Sequence, residues 1–250
     1  VSVGMIRQAI KALGFTDMYE VSLGADFVSK NEAEELAEHL KEGKKMTTSC
    51  CPAFVNMIKK HFPQVLDNMS TTVSPMTATG RIIKAMDPEA VCVFIGPCIA
   101  KKGEVIDSIT FGGADYALTY EELAGMFEAK EIDPADYDEE LQQGSKMGKN
   151  FSVSGGVTAC VLEVLKEENE DISVKVNKAN GALECKKALM MLKLGRLPED
   201  FIEGMACVGG CVNGPMMLNK SRTFMKDRNA QINKADDRTI LENVAKYDEL

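Results

Sequence analysis

"MTTSCCPAFVNMIKKHF", residues 46–62, joins a β-prone run, a cysteine pair and a helix opened by proline. Met46–Ser49 predicts a short strand. Pro52 suits the first turn of a helix reaching about Phe62, because its missing N–H has no partner to lose there. Strand, turn and helix in that order are the building unit of an α/β fold. The turn carries Cys50 and Cys51 side by side, and backbone neighbours cannot easily do the same job, so the pair asks for two roles.

The alternation continues in both directions. Met5–Leu13 has helical periodicity with Gly14 as its stop, Met18–Ser22 predicts a strand, and Glu32–Lys41 a helix followed by Gly43. Pro75 opens a helix to about Ala85. "AVCVFIG" (90–96) reads as a buried strand, and Thr119 with Glu122 as a capping box for the helix after it. "SVSGGVTACVLEVL" (152–165) enters a helix through paired glycines, "DISVKV" (171–176) predicts a strand, and "ALECKKALMMLKLG" (182–195) a helix. Pro134–Asn150 reads as a surface excursion. The fold class is α/β in two lobes, each a small sheet flanked by helices.

The 250 residues are 45% hydrophobic, enough for a proper core. A formal charge of −9 and a pI near 5.0 argue against nucleic acid or an anionic membrane as partner. No apolar run approaches the roughly 20 residues of a membrane span, and no signal segment opens the chain, so the expected location is the cytoplasm. Val1 as first residue points to an upstream portion. Eight cysteines without secretory features read as metal-binding or catalytic rather than as a disulfide framework.

Those cysteines divide. Cys92, Cys160 and Cys185 stand alone in strand or helix patterns and read as small buried hydrophobes. Cys50, Cys51, Cys98, Cys207 and Cys211 occupy turns beside Gly or Pro, where ligands tend to sit. In "CVGGC" (207–211) two glycines free the backbone to wrap a cluster and present N–H groups to it. Half of a zinc site is the alternative, but His39 and His61, in charged helical stretches, are the two histidines available. Four thiolates holding an iron–sulfur cluster fit better, leaving one loop cysteine over.

"TSCCPAF" (48–54), "GPCIAKKGE" (96–104) and "EGMACVGGC" (203–211) resemble, in order, the three signature motifs of the iron-only (FeFe) hydrogenase catalytic domain. "LDNMSTTVSP" (66–75), "DYALTYEELAGM" (115–126) and "FSVSGGV" (151–157) resemble its flanking segments, so the likeness runs from about Arg7 to Gly214. It implies a cluster in the cleft between the lobes. Cys51, Cys98, Cys207 and Cys211 would hold a four-iron four-sulfur cubane, with Cys211 bridging to a diiron centre bearing CO, cyanide and an azadithiolate. Their sulfurs should converge on one site, unlike those of Cys92, Cys160 and Cys185. Cys50 is then free to pass protons to the amine, and Glu32, Ser70 and Glu35 match the family's route onward to solvent. Lys101 matches a lysine that contacts cyanide, Glu104 can hold that lysine in place, and Met205 matches a methionine packed on the diiron centre. From bare sequence, Cys50 as a passive thiol, Lys101 as a surface charge, Met205 as plain core, and the three route residues as solvated groups or caps stay open.

The implied function is hydrogen activation, with H2 and protons as reactants. Electrons would come from a ferredoxin-like partner or a missing upstream iron–sulfur domain, and maturation proteins would supply the diiron centre. The chain departs from the family at Gly96 (Met there), Met76 (Gln), Phe54 (Trp), Met5 and "VNGPMM" (212–217), positions expected around the diiron centre. These departures resemble the sensory, slow branch. An H2 sensor with little turnover and a noncatalytic iron–sulfur assembly or electron-transfer protein are the alternatives.

Overall fold

The computed structural model describes residues 1–107, 110–170, 172–218 and 223–248. Helix α1 (Val3–Ala12) is capped by Ser2, whose hydroxyl accepts from the Met5 N–H while the Ser2 N–H meets the Met5 sulfur. Helix α2 (Val21–Lys41) follows, then strand β1 (Met46–Thr47) and helix α3 (Pro52–His61), with proline at the predicted first turn. Helix α4 (Pro75–Met86) leads to β2 (Val93–Gly96), the short helix α5 (Ala100–Glu104), β3 (Tyr116–Thr119) and α6 (Tyr120–Ala129), which carries the predicted capping box. The second half holds α7 (Lys146–Asn150), α8 (Gly156–Glu167), β4 (Val176–Asn180), α9 (Ala182–Lys193), β5 (Phe201–Met205), α10 (Phe224–Ile232) and α11 (Ile240–Asp248).

Two small parallel sheets result. One has the order β1-β5-β4, with Met46 opposite Phe201 and Val176 opposite Phe201 on the other side; the second pairs β2 with β3, Val93 opposite Tyr116. Helices flank both, as the α/β reading predicts. The central strand β5 is buried along its whole length. One core cluster gathers α2, α8 and α11 around Val161, Leu36 and Ile240, and another seats α3, through Phe54, and α9 against Ile202. Burying a side chain such as Ile58 or Leu189 contributes roughly 1.5–3 kcal/mol.

Several local readings are corrected. Met18–Ser22 is no strand: Val21 begins α2, twice the predicted helix, because the apolar stretch 21–29 packs on α4 and α8. Gly24 permits that crossing, since a Cβ there would overlap the Pro75 carbonyl. The strand expected over 171–176 starts at Val176, and Asp171 itself lies outside the described residues. "AVCVFIG" contributes strand from Val93 only, half-buried in a two-stranded sheet, with Cys92 just before it. Nor is 134–150 wholly a surface excursion. Ser145 and Gly148 are buried, because Asp26 of α2 accepts from the Ser145 N–H and hydroxyl.

Candidate metal and proton-transfer site

In a parallel α/β sheet, ligands gather beyond the carboxyl ends of the strands. Here β1 ends just before Cys50 and Cys51, β2 just before Cys98, and β5 just before Cys207 and Cys211. All five line one cleft of about 2040 Å³. All eight cysteines are free thiols. Burial pushes the Cys98, Cys207 and Cys211 thiols up, Cys211 to about 12, and the neighbouring thiols add to it: Cys51 acts on all three, Cys98 on Cys207 and Cys211.

Among the described residues no three His, Cys, Asp or Glu side chains are grouped to hold a single metal ion. A four-iron cluster would take one thiolate on each iron. The donor set is soft sulfur throughout, which is the chemistry an iron–sulfur cluster requires. His61 is exposed, and His39 meets the Glu35 carbonyl at 2.9 Å, away from the cysteine loops. The other three cysteines differ. Cys160 donates to the Met147 carbonyl at 3.3 Å and Cys185 to the Ala179 carbonyl at 3.5 Å; Cys92 reaches the cleft wall, but its thiol faces Gly80.

The cysteine loop is built on segment 151–157. Gly209 and Gly210 have φ of 84° and 91°, values that side chains rarely adopt, and a Cβ on Gly210 would lie 2.5 Å from the Ser152 carbonyl. The Cys211 N–H donates to Ser152 O at 2.8 Å, and the Ser154 N–H to Gly209 O at 3.1 Å. Sequence reading missed Glu203, a buried carboxylate on β5. It accepts from the Gly155 and Thr158 N–H groups at 2.5 and 2.8 Å and from the Thr158 hydroxyl. A carboxylate among the free N–H groups at a helix start is electrostatically favoured, so Glu203 ties α8 to the strand that leads into the cysteine loop.

Cys50 sits apart from the other four in chemistry. It is buried, and its thiol is pushed well above its ordinary value by desolvation, then by Glu32. Glu32, fully buried on α2, is itself pushed up to about 8 by desolvation, while the Ser49 N–H and the Ser70 hydroxyl oppose the shift. One Glu32 oxygen accepts from Ser49 N at 3.2 Å, and the other has no partner among the described residues. Ser70 donates to Glu35 at 2.6 Å, and Glu35 also accepts from the partly exposed Thr71 and Thr72. Cys50 and Glu32 are thus electrostatic neighbours in the interior, and Ser70 is hydrogen-bonded to the less buried Glu35.

Lys101 is 8% exposed, whereas its neighbour Lys102 is exposed. Its ammonium donates to Glu104 at 2.6 Å and to the Ser74 hydroxyl at 2.7 Å, and Glu104 also accepts from Ser74 and from Thr77 at 3.1 Å. Removing one partner of a buried ion pair strands the other charge. Glu104→Ala is therefore expected to destabilise the protein by about 3–5 kcal/mol in urea denaturation, and Glu104→Ala with Lys101→Met to recover most of it. Equal losses in the single and double variants would contradict the pairing.

Met205 and Met76 are buried on the cleft wall. Met5 and Phe54 are not on it: Met5 closes the start of α1, and the Phe54 ring lies over Gly204, filling the space a Cβ would need. Gly96 is on the cleft wall, and the Phe94 ring occupies the space beside it, 2.5 Å from where a Cβ would stand. Gly96→Met should consequently cost about 1–3 kcal/mol by overpacking, relieved when Phe94→Ala is added. A thermal-unfolding comparison in which the second change brings no recovery would contradict this.

Residues 1–215 match the family described as the C-terminal domain of the iron only hydrogenase large subunit. Iron hydrogenase 1 of Clostridium pasteurianum is 30% identical over 84% of this chain and 45% of its own length. The periplasmic Fe hydrogenase large subunit of Nitratidesulfovibrio vulgaris is 30% identical over 86% of this chain and 62% of its own. The chain thus spans about half the length of these curated relatives. A protein named cytosolic Fe-S cluster assembly factor NAR1, from Kluyveromyces lactis, is 26% identical over 70% of this chain and 52% of its own. A variant of the FeFe-hydrogenase HydA1 from Chlamydomonas reinhardtii shares the fold, with a TM-score of 0.74 at 21% identity over 98% of this chain and 81% of that one. Beside the ordered cysteine motifs and their common cleft, the match over residues 1–215 establishes that the chain belongs to the family of C-terminal domains of the iron-only hydrogenase large subunit.

Proposed function

We propose that this domain activates hydrogen, H2 ⇌ 2 H⁺ + 2 e⁻, on a cubane held by Cys51, Cys98, Cys207 and Cys211 and joined through Cys211 to a diiron centre. When bound, that group supplies the redox chemistry and an open iron for H2. The chain's own residues do the rest. The observation that carries the reading is the contrast between Cys50 and the four other cleft thiols. What sets Cys50 apart is its neighbour: Glu32 acts on it, whereas Cys98, Cys207 and Cys211 are acted on by other thiols and, at Cys98 and Cys211, by Lys101; a buried thiol beside a carboxyl suits a proton carrier. Protons pass between Cys50 and Glu32, and Ser70 and Glu35 lead them to the surface. Lys101, held by Glu104 and Ser74, would offer its positive charge to anionic cyanide, and Met205 would pack against the same centre.

Electrons reach the cubane from a ferredoxin-like partner or an iron–sulfur segment of the same polypeptide, and maturation proteins deliver the diiron centre. No described helix is long and apolar enough to cross a membrane. We place the domain in the cytoplasm, in keeping with its free cysteines.

Gly96, with the Phe94 ring in the space beside it where the turnover enzymes it resembles have Met, supports a second reading, an H2 sensor with slow turnover. The match to an assembly factor supports a third, a noncatalytic iron–sulfur protein. Isotope exchange between H2 and D2O by anaerobically matured protein separates them. Exchange without rapid evolution supports the sensor, and a complete cubane without exchange supports the noncatalytic protein.

A further inference from the structure

Arg228 lies on α10, beyond residue 215 where the family match ends. Its guanidinium is half-buried on the wall of the cysteine cleft. Among the described residues no carboxylate pairs with it, and burial alone shifts it, downward. Its partners are neutral: Lys149 O at 2.7 Å, Asn150 Oδ1 at 3.2 Å, Asn229 Oδ1 at 3.3 Å and Ser152 Oγ at 3.5 Å. The nearby lysines have acids of their own, Lys149 with Glu20 and Lys234 with Glu140. Desolvating a cation without a counter-charge is costly, so this position spends stability on something other than an ion pair.

Three of the four partners lie on 149–152, the segment on which the cysteine loop hangs. Ser152 accepts the Cys211 N–H, Val153 bridges Gly210, and Ser154 donates to Gly209. The chain of contacts is therefore short: guanidinium, Ser152, Cys211 backbone.

We propose that Arg228 is a positioning residue for Cys211, fixing segment 149–152 and setting a positive charge behind the cysteine loop, so that α10 is part of the cluster site. The proposal rests on the cubane reading above. A cluster gains negative charge on reduction, and a fixed cation with ordered N–H groups nearby favours the reduced form.

The test uses the full chain with Arg228→Gln and Arg228→Lys. In metal-free protein, amide exchange at Cys211 and Ser154 should be about tenfold faster in R228Q, while Ile202 in β5 keeps the parent rate. After reconstitution with iron and sulfide alone, the midpoint potential of the cubane, followed by electron paramagnetic resonance, should be more negative in R228Q. R228K should restore the potential but not the slow exchange, because an ammonium lacks the planar fork that reaches Lys149 and Ser152 together. Parent exchange rates in R228Q would overturn the proposal. Faster exchange with an unchanged potential would also overturn it, by leaving Arg228 a structural clamp. A parent protein that takes up no cluster would sink the cubane reading itself, whereas a loaded parent indistinguishable from R228Q sinks this proposal alone.

Discussion

Cys50→Ala is expected to lower hydrogen turnover roughly 10²- to 10⁴-fold, the usual contribution of a positioned proton carrier, while iron content stays at the parent level. Its thiol is pushed up by burial and by Glu32, so it has a proton to give and a carboxyl beside it to exchange that proton with. Cys51→Ala should fail differently, losing cubane occupancy, since an iron–sulfur site depends on its cysteine ligands. Parent activity starts low on the slow-branch reading, so H2/D2O exchange is the more sensitive assay. Full activity in a fully loaded Cys50→Ala protein would remove Cys50 from the relay.

Glu32 makes a second large effect visible without any metal. Its carboxyl is pushed from 4.5 to about 8 by full burial. A raised value in the folded state means that the contribution to stability is complete below pH 4.5 and is lost as pH rises through about 8. At about 1.4 kcal/mol per pH unit, the loss across that window is on the order of 5 kcal/mol. Asp26, pushed up to about 6 by burial, adds a smaller loss at lower pH, but it is common to parent and variant. Urea denaturation of metal-free protein between pH 5 and 9 should therefore show the parent falling relative to Glu32→Gln. Parallel curves would mean that Glu32 is not protonated in the folded protein at neutral pH.

The sequence announced its chemistry more clearly than its architecture. Motifs with a local cause were legible: Pro52 and Pro75 at helix starts, the Thr119–Glu122 capping box, the Gly155 entry to α8, and the cysteine turns after β1, β2 and β5. What failed depended on packing. The apolar run after Met18 suits strand or helix by pattern, and contact with α4 and α8 decides for helix. Segment 145–150 is polar enough for a surface loop, yet Asp26 draws it inside. Within the site, Cys50, Glu32, Ser70 and Glu35 could be named from the family resemblance, but their proximity is a property of the fold. Glu203 and Arg228 lacked a signal because one carboxylate and one guanidinium gain meaning only from the backbone groups they meet, far away in sequence.

Infrared spectroscopy of the protein after anaerobic maturation separates hydrogen activation from a cubane alone. Bands from iron-bound CO and cyanide are expected in the parent and in Cys50→Ala, and their loss with the cubane in Cys51→Ala. A protein that carries a complete cubane after competent maturation yet shows no such bands would contradict hydrogen activation.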